Sequence, residues 1–336
     1  MSISIPSFTP TSIHALKDLV DRNPGQRLPG ERDLAKTLRV SRPALRLMLK
    51  ELEAQGLVIR RHGSGTYASD RKAGKLTRMA VLIDAGLKLG EDPFFSFVSE
   101  MVMKKAQELG IRSTAERITE NSGPYQLEDG AVAMGLAARK VLEQAMHGGA
   151  PVVALFMPEE VKPGTRASVF QLEDFDGGML AARYLLDRGS SRLFFYGRSS
   201  IPAAHARMEG AKCVAARHNV TLEVVQCGMN YAAGLEAAKS FEWLEGSERI
   251  GVIAANDWLA VGLQSGLAAR GPRWTRRIHL ASFDGLPLAA HPSFGIASFA
   301  VPLETITSDV CEELSRLAKN PAAPGRTLKY AFLLPK

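Results

Sequence analysis

The sequence predicts an α/β chain in two units, a small helical head closed by a β-hairpin and a larger two-lobed body built on parallel sheets. Three observations carry this. The 336 residues exceed the ~250–300 that a single core usually supports. The formal charge of +7 lies entirely at one end: residues 1–75 hold 14 Lys and Arg against 7 Asp and Glu, whereas residues 76–336 hold 28 of each. From Met79 onward, short aliphatic runs alternate with amphipathic stretches, the pattern of strands crossed over by helices. Hydrophobic residues at 46% with 23% charged exclude a disordered chain, and no apolar run reaches the ~18 residues of a membrane span.

In the head, "TSIHALKDLVDRN" sets Ile13, Leu16, Leu19 and Val20 on one helical face and stops at Asn23-Pro24-Gly25. Glu31–Leu38 forms a second, brief helix with Leu34, Ala35 and Leu38 inward, and a break at Arg39-Val40 leads to Ser41, a good N-cap. The third helix runs from Arg42, with Pro43 in its first turn, Leu45, Leu49 and Leu52 inward, and Gly56 as its stop. Leu57–Arg61 and Thr66–Ala68 then pair as a hairpin around His62-Gly63-Ser64-Gly65. Three helices and a basic hairpin make a winged helix-turn-helix.

Arg42 and Arg46, one turn apart, share the exposed face of the third helix and suit a major groove, where the planar guanidinium bonds guanine O6 and N7 together. Ser41 and Arg32 are placed as positioning residues. At the hairpin, Arg60, Arg61 and His62 offer donors to phosphates or the minor groove, while Gly63 and Gly65, beside Thr66, allow close backbone approach. Clustered Lys and Arg of this kind select a polyanionic partner, because neutralised phosphates release counterions.

The segment "RLPGERDLAKTLRVSRPALRLMLKELEAQGLVIRRHGSGTYA" resembles the DNA-binding domain of the GntR family over Ile13–Ala68, with "LPGER", "VSR", Arg46 and "GSGT" in order and spacing. The resemblance implies that Arg32, Arg42, Arg46 and Gly65 contact DNA. Gly63–Ala68 also satisfies the loose dinucleotide pattern G-x-G-x-x-A, but no apolar helix follows it and no βαβ unit surrounds it.

Polar, aperiodic "SDRKAGKLTR" separates the units, which gives a head over 1–69, a linker over 70–78 and a body over 79–336. Runs such as "MAVLID", "DGAVAMG", "PVVALFM", "RLFFYG", "TLEVVQ", "RIGVIAAND" and "RIHLASFDG" read as strands. Helices are expected over Phe94–Leu109, Ala138–Met146, after "DFDGG" to Leu186, and around Leu303–Ala318. Ligands in such folds meet the carboxyl ends of strands. Asp92 and Phe95 follow the first strand, Arg207 follows "FFYG", Asn256 and Asp257 follow "IAA", and Asp284 follows "ASF".

The body resembles the effector-binding domain of the LacI/GalR family, itself similar to periplasmic binding proteins, over about Thr77–Ala318. "EDPFF", "EDFDGGMLAARYLLDRGSSRLFFYG", "ANDWLAVGLQSGLAARG" and "SFDGLPLAAHPSF" occur in order. The resemblance implies that Arg207, Asn256 and Asp284 face a ligand and that Tyr231 stacks on it. The chain departs from that family in its head, which is GntR-like, and at Val301, where a polar glutamine is usual. A sugar or sugar derivative is the expected ligand, with a purine-like ring compound as the alternative.

Each residue also has a structural reading. Arg207 could serve an interlobe or surface salt bridge, Asp257 could cap the helix beginning at Trp258, leaving Asn256 for the ligand, and Asp284 could serve the turn before Pro287. Met101 and Met103, with Phe94, Phe95 and Phe97, fit core or subunit contacts. The seven histidines lack metal-ligand spacing, the three cysteines form no framework, and no catalytic motif occurs. The first residues lack a secretory pattern. The expectation is a cytoplasmic, ligand-responsive repressor without cofactor or membrane contact. It should act as a homodimer on double-stranded DNA carrying an inverted repeat, and a solute-binding protein is the remote alternative.

Overall fold

The computed structural model describes residues 10–54, 57–61, 64–68, 75–121, 123, 125, 127–146, 150–161, 165–241, 248–320 and 322–335. In the head, α1 (Pro10–Arg22), α2 (Glu31–Thr37) and α3 (Arg42–Ala54) precede the antiparallel pair β1 (Val58–Arg61) and β2 (Gly65–Ala68). Leu16, Leu34, Leu45, Met48, Leu49 and Leu52 are essentially fully buried, so the apolar periodicity read from the sequence is the core of this unit. Arg39 turns the chain between α2 and α3 at φ 53°. Arg27 adds a bridge to Tyr67, making a third edge beside the hairpin. The residues at Gly56, His62 and Gly63, to which the sequence assigned a helix stop and part of the hairpin tip, lie outside the described residues.

In the body the elements follow as β3 (Arg78–Asp84), α4 (Phe94–Glu108), β4 (Arg112–Ile118), β5 (Ala131–Met134), α5 (Ala138–Met146), β6 (Val152–Leu155), β7 (Ala167–Leu172) and α6 (Asp174–Asp187). Next come β8 (Arg192–Gly197), α7 (Pro202–Arg217), β9 (Leu222–Gln226), α8 (Tyr231–Ala237), β10 (Ile250–Ala254) and α9 (Asp257–Ala269). The chain closes with α10 (Pro272–Arg277), β11 (Ile278–Asp284), β12 (Ile296–Ala300), α11 (Leu303–Lys319) and β13 (Thr327–Tyr330).

Two sheets result. One has the order β13-β7-β6-β5-β3-β4 and the other β12-β11-β10-β8-β9, and all their pairings are parallel. Parallel strands buried on both faces need helices on both sides. The first sheet packs α4 and α11 on one face and α5 on the other, while the second has α6 and α7 on one face and α8 and α9 on the other. The sequence reading assigns neither β4 nor β13, which form the edges of the first sheet, nor β12 at an edge of the second. The run Arg112–Ile118 buries only its last residue, as an edge strand can.

The chain passes between the sheets between β7 and α6, between β12 and α11, and again after β13, where Leu333 exchanges backbone hydrogen bonds with Ala300. One apolar cluster runs through this junction, with Phe170, Phe283, Phe299 and Phe332 buried in it.

Helix α6 begins at Asp174, earlier than the expected start after "DFDGG", and Gly177 and Gly178 lie inside it. The cause is tertiary. A Cβ on Gly178 would stand 1.9 Å from the carbonyl oxygen of Arg207, and one on Gly210 of α7 would stand 1.9 Å from that of Phe175. The paired glycines let α6 and α7 cross at backbone contact, outweighing the ~1 kcal/mol that glycine costs in a helix.

Candidate functional site

On the head, the N-terminal end of α3 presents Arg42 and Arg46, both exposed. Ser41 accepts the backbone N–H of Ala44 at 3.3 Å, the expected cap. Arg46 holds Glu31 at 2.8 Å, whereas no hydrogen bond or ion pair engages exposed Arg32 or Arg42 among the described residues. Arg60 lies 3.6 Å from Glu53, and Arg61 stacks over the Tyr67 ring at 4.9 Å. Thr66 accepts the Leu28 N–H through its carbonyl. Gly65 has φ +113°, a backbone conformation that favours glycine, and a Cβ there would meet only the flexible end of Arg27, at 2.9 Å from Nε. His62 and Gly63 lie outside the described residues.

In the body, a cleft of about 440 Å³ opens at the carboxyl ends of both sheets, and Asp92, Phe95, Arg207, Asn256 and Asp284 all line it. Asp92 comes from the loop before α4 in the first lobe; Arg207, Asn256 and Asp284 come from the second. Tyr231 is not among the lining residues. It opens α8, and its ring packs against Trp258 with centroids 5.8 Å apart.

Arg207 is buried and oriented from three directions. Its Nε donates to Asp174 Oδ1 at 2.8 Å and its Nη1 to the Ala255 carbonyl at 2.6 Å, while its guanidinium lies over the rings of Phe283 and Phe332 at 4.6 and 5.2 Å. This ion pair joins α7 to α6 within the second lobe and is largely buried, so it is neither the interlobe nor the surface salt bridge considered from sequence. Asp174, which sequence reasoning did not single out, lines the cleft as well; its place directly after β7 is the signal that could have found it. Phe156, after β6, was missed in the same way and holds a left-handed φ of 58°.

Asn256 lines the cleft, but it and not Asp257 is the cap of α9. Asn256 caps α9, its Oδ1 accepting the Leu259 N–H at 3.0 Å, while its Nδ2 donates to Asp92 Oδ2 and to the Met229 carbonyl, each at 3.0 Å. Asp257 is the first residue of α9, fully buried, and accepts from Ser282, Ser298 and the Leu286 N–H. It braces the ends of β11 and β12 and does not line the cleft. Burial pushes its carboxyl up to about 6 against those hydrogen bonds.

Asp284 ends β11 with φ 120°, a conformation that a side chain rarely adopts and one that clusters at functional sites. Its Oδ2 accepts the Asp257 N–H at a long 3.4 Å. Burial, reinforced by the charge of Asp257, holds its carboxyl well above the ordinary range, with Arg207 opposing. Burial also raises Asp92, against hydrogen bonds from the Phe94 N–H and Asn256. Val301, where a polar residue was considered, is buried in the core and absent from the cleft lining.

Comparison with known proteins agrees with this layout. Residues 14–68 match the model of the bacterial regulatory proteins of the gntR family, and residues 182–331 match that of the periplasmic binding protein-like domain. The Uxu operon transcriptional regulator of Escherichia coli K12 is 32% identical over 119 residues, 34% of this chain and 45% of the relative; the chain thus spans less than half of that protein. The body's fold is that of a LacI family transcriptional regulator from Enterococcus faecium with bound ribose (TM-score 0.63, 17% identity, 76% of this chain and 97% of the other). A LacI family regulator from Arthrobacter in complex with lactose is similar (TM-score 0.62, 19% identity, 76% and 97%). Among the described residues, no helix is long and apolar enough to cross a membrane. The chain joins a helix-turn-helix domain of the GntR family to a periplasmic-binding-protein-like domain that shares the fold of LacI family regulators.

Proposed function

We propose that the chain is a DNA-binding transcriptional regulator, acting as a repressor, whose body binds a small sugar-class effector in the cleft. The observation that carries this is the pairing, in one chain, of a basic helix with exposed Arg42 and Arg46 and a cleft whose polar groups come from both lobes. Arg207, Asn256, Asp92 and Asp284 supply donors and acceptors together, as hydroxyl groups require if they are to leave water without penalty. The ribose and lactose held by relatives of the same fold support the sugar class. Phe94, Phe95 and Phe156 along one side of the cleft favour, as a second reading, a flat ring compound such as a purine. Because both lobes contribute, a bound molecule fixes their mutual placement and can couple to DNA affinity, reciprocally.

The proposed DNA contacts are Arg32, Ser41, Arg42, Arg46, Arg60, Arg61 and the hairpin tip. The proposed assembly is a homodimer through the body, on an inverted repeat. Selection of bound sequences from a random duplex pool, followed by a screen of sugars and nucleobases for release of the selected duplex, tests the whole. Asp284→Ala should bind that duplex normally and ignore the compound; equal effector affinity in calorimetry would remove Asp284 from the site.

A further inference from the structure

The charge of the cleft is out of balance. Four carboxylates line it, those of Asp84, Asp92, Asp174 and Asp284, against the guanidiniums of Arg139 and Arg207. Arg139 is engaged by Glu159, which does not line the cleft, and Arg207 is engaged by Asp174. Asp84 is satisfied by backbone N–H groups of Gly86 and Ala137, at 2.7 and 2.9 Å. Asp92 accepts from the Phe94 N–H and from Asn256, and Asp284 accepts a long hydrogen bond from the Asp257 N–H; among the described residues neither has an ion-pair partner. A buried carboxylate without a cation is costly unless something else neutralises it.

A second feature lies in the same cleft. Phe94, Phe95 and Phe156 form a contiguous aromatic corner, with centroids 5.3, 5.5 and 6.4 Å apart. The faces of such rings carry negative potential and attract organic cations. Acceptors without a cation and aromatic rings around one cavity select the same chemistry.

We infer that the effector carries a protonated amine: within the sugar class proposed above, on which this rests, it is an amino sugar whose ammonium group lies between Asp92, Asp284 and the phenylalanine corner. An ammonium only donates and carries a full charge, so it matches the carboxyls of Asp92 and Asp284, whose charge a neutral hydroxyl leaves uncompensated. Without ligand, burial and the neighbouring Asp257 shift the Asp284 carboxyl toward its protonated form. The incoming ammonium takes the place of that proton, which leaves to solvent. The charged groups facing Asp284 in this exchange are Asp257 from α9, Arg207 from α7 and Asp92 from the loop before α4.

The test is calorimetric titration of the full chain with D-glucosamine, D-galactosamine and D-mannosamine, each beside its neutral parent sugar and its N-acetylated form, which keeps the ring and loses the charge. At least one amine should bind about tenfold or more tighter than both of its neutral counterparts. Its heat should differ between phosphate and Tris buffers as proton release requires. Asp92→Asn, which keeps an oxygen to accept from Asn256, should lower amine affinity about tenfold more than neutral-sugar affinity and so erase the preference. A neutral sugar binding as tightly as its amine, or a preference surviving in Asp92→Asn, overturns the amine and leaves the sugar-class reading standing. Binding by none of the nine compounds overturns the sugar-class reading, and the amino sugar with it.

Discussion

Asn256 joins the two lobes: its Nδ2 donates to Asp92 Oδ2 at 3.0 Å across 164 residues of sequence, while its Oδ1 caps α9. The same side chain thus stabilises a helix in the second lobe and ties it to the loop before α4 in the first. Asn230 repeats the pattern at the rim, capping α8 through Oδ1 and donating to Glu91 at 3.2 Å.

Asn256→Asp separates these two roles. Aspartate caps a helix as well as asparagine, so α9 keeps its cap and any loss of thermal stability comes from the lobe junction. The interlobe donor, however, becomes a carboxylate facing Asp92. Effector affinity should fall by about 1–3 kcal/mol as the buried acceptor loses its partner. Calorimetry beside a thermal melt checks both halves, and a variant that melts early without losing affinity would contradict the division of roles.

Arg42→Ala and Arg46→Ala should each cost about 1–3 kcal/mol of specific DNA affinity and relax sequence preference, because a bidentate base contact is lost. For Arg46 the measured loss includes a compensation, since its bond to Glu31 in the free protein must also be exchanged. Arg32→Ala should weaken binding to all sequences alike and reduce the salt slope by about one. Fluorescence anisotropy at several salt concentrations separates the two behaviours.

Gly178→Ala should destabilise the body by about 3 kcal/mol or more, at or beyond the upper end of ordinary overpacking. The added methyl would meet the backbone of Arg207, which cannot rotate away. Moving α7 would also displace the Arg207 guanidinium, so effector affinity should fall with stability. Denaturant unfolding reports the first effect and titration the second.

Stability of the body should fall as pH rises from about 4 to 6 and beyond on account of Asp257 and Asp284. Folding raises both carboxyls, Asp257 from 3.8 to about 6 and Asp284 well above its ordinary value. The folded chain therefore keeps protons that the unfolded chain has already lost, and stability declines with pH across that interval. In Asp284→Asn the melting temperature should decline less steeply over the same range. Parallel slopes in melts at stepped pH would show that Asp284 does not titrate differently on folding.

Light scattering at micromolar concentration should give twice the mass of one chain, and footprinting should protect two half-sites related by inversion. A monomer on a single half-site would refute the proposed assembly.

The sequence by itself determined the head almost completely: the inward leucines of α3, the Ser41 cap, the two exposed arginines and the hairpin pairing are all as read. Every contact involved there lies within some 55 residues, and local periodicity with turn chemistry suffices to specify it. In the body, alternation marked the inner strands, and the rule that ligands meet strand ends located Asp92, Phe95, Arg207, Asn256 and Asp284 in one cleft. Tertiary structure alone decided how they are used. Asp174 holds Arg207, Asn256 rather than Asp257 caps α9, Tyr231 packs away on Trp258, and two glycines stand inside α6 because α7 crosses there. The edge strands β4 and β13 were equally hidden, since an exposed edge carries little apolar signal. The physical reason is common to these cases: a side chain's role depends on which groups from the other lobe or helix reach it, and where the chain crosses between two sheets, those groups come from far along the sequence.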